Sequence, residues 1–564
     1  MSRKFSILAF LITLGLTLYF SSPHHSLIAS VNASGEPVPQ ASTPESLSNT
    51  APLFDNLGNY HHPISTQSSL AGRYFDQGLI LAYGFNHAEA GRSFKQAAKL
   101  DPNCAMCYWG IAFVLGPNIN APMTDEVNQE AWDALNRAIA LSQQATAKEQ
   151  AYIQALAKRY SHQPLQDRSM LDLAYANAMR EVAQQYPDDP DAATLFAEAL
   201  MDTMPWNYWQ ENGSPKPETV EILTTLESVL EKHPNHAGAN HLYIHAVEKE
   251  RPQQASSAAD RLQNLVPASG HLVHMPSHIY IRVGRYHDAV VANQKAIEAD
   301  QNYLKHPLLN SIYTAAYMPH NHHFLWFAAL MNGQSEIALN AARQTAMVEP
   351  KLMRDPNYAG ALQHFSVIPL YTLIRFSKWS EILATPAPDQ DLKYPTGVWH
   401  YAKGMSLAAT GNLSEAKQEL QQLEALANDP SLKNLKIWGF NFAGEILKLA
   451  TNVLAGEIAA NEGNYDQAIA YLKTAVNIED NLIYTEPPDW YSPTHYLLGM
   501  IELKANRLSE AEQAFRTDLK IYPENGWSLY GLIQSLQAQG KVQAAKTLQK
   551  RFEEAWKYAD FSLS

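Results

Sequence analysis

Residues 492–525 read SPTHYLLGMIELKANRLSEAEQAFRTDLKIYPEN, and their spacing decides the fold. A first helix carries Leu498 and Gly499, a turn follows at Asn506 and Arg507, and a second helix carries Ala511, Ala514 and Phe515 before Pro523. Small residues let two helices approach closely, a large ring fills the space around that contact, and proline cannot continue the helix. Almost the same order stands between Ala71 and Cys104, where Tyr74, Gly78, Leu81, Ala90, Phe94, Ala97 and Pro102 take the equivalent places.

Comparable units align at 284–297, 333–345, 411–424, 463–475 and 540–552. The period of about 34 residues is that of paired antiparallel helices. These residues closely resemble the tetratricopeptide repeat (TPR) family. The resemblance implies an all-α fold: a right-handed superhelical solenoid of antiparallel helix pairs over residues 67–564, about ten pairs in all, with the helix at 542–558 capping the stack. Between 116 and 232 the match weakens, and Pro117, Pro122, Pro205, Pro215 and Pro217 predict looped insertions there. Most such arrays present a concave surface to a partner, so function has to be argued from that groove.

The 564-residue chain is too long for one compact core, which agrees with a repetitive architecture. Its formal charge of −14, without clustered Lys and Arg, excludes nucleic acid as an expected partner. Arg3 and Lys4 precede an apolar run at 5–20, and Val31, Ala33 and Ser34 supply the small residues of a cleavage site. Residues 1–33 therefore read as a signal peptide. An uncleaved anchor is the alternative, and membrane contact would then run through this segment alone. Either way the bulk of the chain is expected to be exported, periplasmic or extracellular. Residues 34–66, rich in Ser, Pro, Asn and Thr, read as a flexible linker.

Neither HExxH, a Gly-rich phosphate loop, GxSxG nor a dinucleotide fingerprint occurs, which removes the familiar enzyme classes. The two cysteines, Cys104 and Cys107, form a CxxC followed by Tyr108 rather than His, which disfavours c-type haem attachment. In an oxidising compartment such a pair closes as a disulfide; a metal or redox role is the alternative.

The chemistry is concentrated elsewhere. Of 21 histidines, twelve fall between His233 and His323. In the repeat beginning at Ala71, the first helix packs on the second through positions 16, 12 and 9 before Ala90. Transferred to Ala289, those offsets select Val273, Ser277 and Tyr280 for packing and turn His271, His274 and His278 toward the groove. Transferred to Ala338, they give His320 and His323 the places of His271 and His274. The preceding repeat adds His241, His245 and Glu248, spaced four and then three along one helical face. Neighbouring first helices lie about 8–10 Å apart, so their donors can converge on a transition metal ion. Imidazole and carboxylate donors suit zinc, copper or iron. Pro276 leaves a second geometry open: if it begins the helix rather than kinking it, His271 and His274 fall in the preceding loop.

Two weaker groups stand beside this one. Glu198 and Asp202, one turn apart before Trp206 and Trp209, read as an acidic, aromatic-walled pocket, although a solvated acidic face has the same pattern. Glu486 and His495 belong to a polar and aromatic group between helices near the C-terminus. Two function classes follow. One is a metal-binding protein, an enzyme included, that takes a small molecule or peptide in a histidine-lined groove; the other is a non-catalytic scaffold for a peptide or protein partner. A periplasmic metal carrier or store shares the first class's ligands. Peptide grooves usually offer Lys, Arg or Asn, whereas this one concentrates imidazoles.

Overall fold

A computed structural model describes residues 51–306 and 313–563, and the expected signal peptide lies outside them. The chain is an all-α superhelix of antiparallel helix pairs. The first pair, Ser69–Tyr83 and His87–Leu100, shows the local rules at work. Ser68 accepts from the Ala71 N–H and Asn86 from the Glu89 N–H, so side-chain oxygens satisfy otherwise unpaired donors at both helix starts. Phe94 is the plug. A Cβ added at Gly78 would stand 2.6 Å from its ring, and one at Gly110, on the next first helix, 2.4 Å away. Near the other end Phe515 sits between Gly499 and Gly531 in the same way, with would-be Cβ contacts of 2.8 and 2.4 Å. In these two repeats one ring thus locks the helix pair to the next first helix.

The span 116–232 does not abandon the pattern. It carries the helices Asn128–Leu141, Ala147–Leu156, Ser169–Gln185, Pro190–Asp202 and Pro217–Lys232; Pro117, Pro122, Pro205 and Pro215 lie in the loops, whereas Pro217 opens its helix, where a missing N–H costs nothing. Two of these loops reach inward, bringing Asn120, Trp206, Tyr208 and Trp209 to one cavity. A two-residue antiparallel hairpin, Lys436–Ile437 with Asn441–Phe442, turns Trp438 and Phe440 toward the same place.

The linker reading of 34–66 needs correction where the structure describes it. Residues 51–66 lie as a strap across the first repeats. The Phe54 N–H donates to Gln77 (2.8 Å), Tyr60 donates to Asp191 (2.7 Å), and the Ser65 hydroxyl donates to Glu149 (2.6 Å). His62 is buried and pairs with Asp191 at 2.7 Å. Composition understated this segment because its polar residues find buried partners rather than water. Far along the chain the superhelix returns on itself. Trp527 donates to the Leu330 carbonyl (3.0 Å), Ser335 donates its N–H to Asp560 (2.6 Å), and Tyr558 stacks on His287 at 3.5 Å. Among the described residues no helix is long and apolar enough to cross a membrane.

Candidate metal centre

Three successive first helices position the histidines. Ala237–Val247 carries His241 and His245 and is followed by Glu248; Gly270–His274 and Pro276–Arg282 carry His271, His274 and His278; Met318–Met331 carries His320. Met275 is helical (φ −51°, ψ −36°), so the two short helices run on through Pro276 and the three central histidines keep one face. His320 is half-buried and the rest are buried.

The rings meet at contact distance: His241 lies 4.8 Å from His245 and 4.9 Å from His271, while His274 lies 4.9 Å from His278 and 5.0 Å from His320, between ring centroids. Outer partners fix several of them. His241 Nδ1 is 2.6 Å from the Tyr83 carbonyl, an acceptor only, so Nδ1 carries the proton and Nε2 the lone pair. His274 Nδ1 is 2.6 Å from Asn293 Oδ1, and the Asn293 amide nitrogen donates to the Ala289 carbonyl, which sets the amide's orientation. His274 Nε2 is therefore a lone pair as well. These nitrogens point at other imidazoles: His241 Nε2 lies 3.2 Å from His271 Nε2, and His274 Nε2 lies 2.9 Å from His278 Nε2. Among the described residues no hydrogen-bond partner exists for His245 Nε2 or His271 Nδ1.

Glu486 joins the centre from 208 residues beyond His278 in sequence. His278 Nδ1 lies 2.8 Å from Glu248 and 2.7 Å from Glu486, ionic contacts not aligned as hydrogen bonds. Burial opposes charge on His278, but the two carboxylates override it and hold the imidazole well above its ordinary value. Burial and then the Glu248 charge push Glu486 up to about 7. Burial also holds His241, His271, His274 and His320 well below the usual histidine range, so they stand as neutral donors.

The centre opens on a cavity of about 220 Å³ walled by Trp206, Tyr208, Trp209, Tyr317, Trp438 and Tyr484. Trp206 stands edge-on to His245 at 5.1 Å, and Phe85 packs on His241 at 4.6 Å. Phe85, Trp206 and Trp438 all have left-handed backbones, at φ 55°, 59° and 52°. Bulky residues rarely adopt that conformation. Here it aims three rings at one site.

Most of the sequence-derived candidates converge, but in a different setting. The histidines were expected on an open groove; they are buried, because Phe85, the inward loops and the segment carrying Glu486 cover them. Trp206 and Trp209 wall this cavity, and Glu486 belongs to the histidines rather than to a separate group. His323 does not join. It stacks on Trp326 at 5.2 Å and faces His364 at 5.8 Å, because its position turns toward the next repeat. Glu198 and Asp202 form neither a solvated face nor a pocket with the two tryptophans: their side chains are buried away from the cavity, Asp202 pairs with the buried Arg159 at 2.7 Å, and burial raises Glu198 to about 7. His495 sits apart beside Asp480 (3.3 Å). Cys104 and Cys107 are joined as a disulfide and buried, the first capping the helix Ala105–Leu115. Tyr83 at a first-helix end, Phe85 in the turn after it, Asn293 on a second helix and the hairpin tip carry no histidine signal and were not predicted.

Residues 449–482 match the tetratricopeptide repeat family model, which bears out the resemblance drawn from the sequence. No curated protein sequence matches the chain. Among solved structures, the human IFIT1 dimer with PPP-AAAA is similar at 12% identity, covering 86% of this chain and 91% of that one with a TM-score of 0.30. The P58(IPK) TPR domain is 12% identical, with 84% and 99% covered and a TM-score of 0.22. The APC/C hetero-tetramer Cut9-Hcn1 is 13% identical, with 87% and 79% covered and a TM-score of 0.28.

Proposed function

We propose that this tetratricopeptide-repeat chain holds a transition metal in its buried histidine centre and presents it to a small molecule in the aromatic cavity. One observation carries the reading: His241 and His274 each give Nδ1–H to a fixed oxygen, leaving Nε2 lone pairs aimed at neighbouring imidazoles. Metal-bound histidines are oriented in this way, by an outer hydrogen bond on the other ring nitrogen. Buried imidazoles packed ring nitrogen to ring nitrogen, with further nitrogens unpartnered, make a poor apolar core and a good ligand set. Nitrogen and carboxylate donors without thiolates suit zinc, copper or iron. Glu248 and Glu486 supply balancing negative charge through His278. With a coordination position facing the cavity, the ion would act on a bound molecule as a Lewis acid or redox centre. The cavity's rings fit a flat, largely apolar ligand.

The coarser reading, a repeat scaffold for a peptide or protein partner, follows from the fold alone. Export to an oxidising compartment belongs to the proposal too, and the disulfide supports it. Elemental analysis after exhaustive dialysis tests the metal reading. Stoichiometric zinc, copper or iron supports it. A metal-free protein that takes up none of the three on addition returns the chain to the scaffold class.

A further inference from the structure

Resting on that reading, we infer that the centre is built for two metal ions, one in each of two histidine trios related by the solenoid's own repeat. The first trio is His241, His245 and His271; the second is His274, His278 and His320. In each, the three ligand atoms lie within 4.8 Å of one another. In each, an i,i+4 pair from one repeat meets a single histidine from the next: His241 and His245 meet His271, and His274 and His278 meet His320. His271 and His320 are equivalent residues, each eighteen before the alanine that packs its repeat, Ala289 and Ala338. A solenoid that offers three donors between one pair of repeats offers them again one step along, provided the sequence repeats the donors. Here the single histidine recurs at the same place and the i,i+4 pair recurs one residue out of register, and the two trios share no residue.

The trios adjoin. His245 lies 5.6 Å from His278 and His271 lies 5.9 Å from His274, between ring centroids, so the two sites share one wall. His245, His271, His278 and His320 all line the cavity, which places both sites against the same bound molecule. Two adjacent cations need nearby negative charge, and Glu248 and Glu486 stand against His278 within 2.8 and 2.7 Å. Three imidazoles around each ion leave room for an exogenous ligand from the cavity, the pattern of open rather than structural sites.

Among the described residues one competing partition of these donors exists. His245, Glu248 and His278 also bring ligand atoms within 4.8 Å, and an ion there would take one histidine from each trio and leave the others as lining. Titration with cobalt(II), followed by its d–d absorbance and by metal analysis of the desalted full chain, separates the cases. Two ions predict saturation at two equivalents per chain in the wild type. Saturation at one equivalent overturns the pair while leaving the metal reading intact; no uptake at all overturns both. The variants locate the sites. His241→Gln with His271→Gln should bind one equivalent, and His274→Gln with His320→Gln should also bind one. A single ion held by His245, Glu248 and His278 would survive in both. An equivalent that persists when all four residues are replaced lies elsewhere and counts against the proposal. Should a variant lose helicity by circular dichroism, the wild-type saturation point still decides.

Discussion

Asn293 shows how much of the centre rests on single side chains outside it. Its amide accepts from His274 and donates to the Ala289 carbonyl, one turn back on the same helix. Removing the acceptor frees His274 to rotate and to exchange tautomers. Such outer partners are typically worth about 10–100-fold in metal affinity. Asn293→Ala should therefore weaken metal binding by about that factor in competition with a chelator, while helicity holds. Unchanged affinity would show that His274 is positioned by packing alone. Phe85 makes the complementary point, since a bulky residue at φ 55° costs on the order of 1–3 kcal/mol and persists only where surrounding structure holds it. What holds it is the histidines themselves: His241, His245 and His271 all pack on its ring.

At the scale of helices, the sequence was most legible where one residue type has one mechanical job. Gly78 and Phe94 could be paired from spacing because a helix contact that close tolerates no Cβ, and a methyl there would sit 2.6 Å from the ring. Gly78→Ala should destabilise the protein by about 1–3 kcal/mol through overpacking, read as a lowered Tm. Gly91→Ala is the control, since its Cβ would meet only Val114 at 3.5 Å in the next helix of the same array. Equal shifts in the two variants would detach the effect from the Phe94 plug. The histidine faces were legible for the same reason: i,i+4 spacing puts His241 with His245 and His274 with His278 whatever surrounds them. His323 was misread because a repeat offset fixes the backbone position and not which neighbour claims the ring; Trp326 and His364 claimed it. Glu486 was visible as a polar residue near an aromatic group, but no local pattern states that the chain returns to meet His278.

That return is a property of the whole molecule, and it gives the protein a particular response to pH. The returning repeats bury carboxyl groups among neutral donors. Glu479 accepts from the Thr494 N–H (2.7 Å) and hydroxyl, and burial pushes it up to about 8. Asp489 accepts from Asn441 (2.8 Å), and burial pushes it to about 7. A group whose folded pKa is raised gives stability that is complete below its unfolded pKa and is lost as pH rises through the folded one. Both acids therefore favour the folded state at mildly acidic pH and withdraw that support toward pH 8. Buried neutral histidines act in the opposite sense: burial lowers His87 to about 4 and His364 to about 3, so their contribution is complete above the ordinary histidine pKa and is lost as pH falls below it. At pH 6.5 each such histidine is still half protonated in the unfolded chain, so it adds only about 0.4 kcal/mol more by pH 8, and the raised acids, Glu479 first, set the sign of the slope. The metal-free protein should lose stability from pH 6.5 to 8, with Glu479 accounting for about 2 kcal/mol of the fall. Glu479→Gln keeps an acceptor for Thr494 without the charge, so its Tm should decline visibly less over the same interval. A variant that follows the wild-type slope would show that Glu479 is ionised in the folded chain at neutral pH.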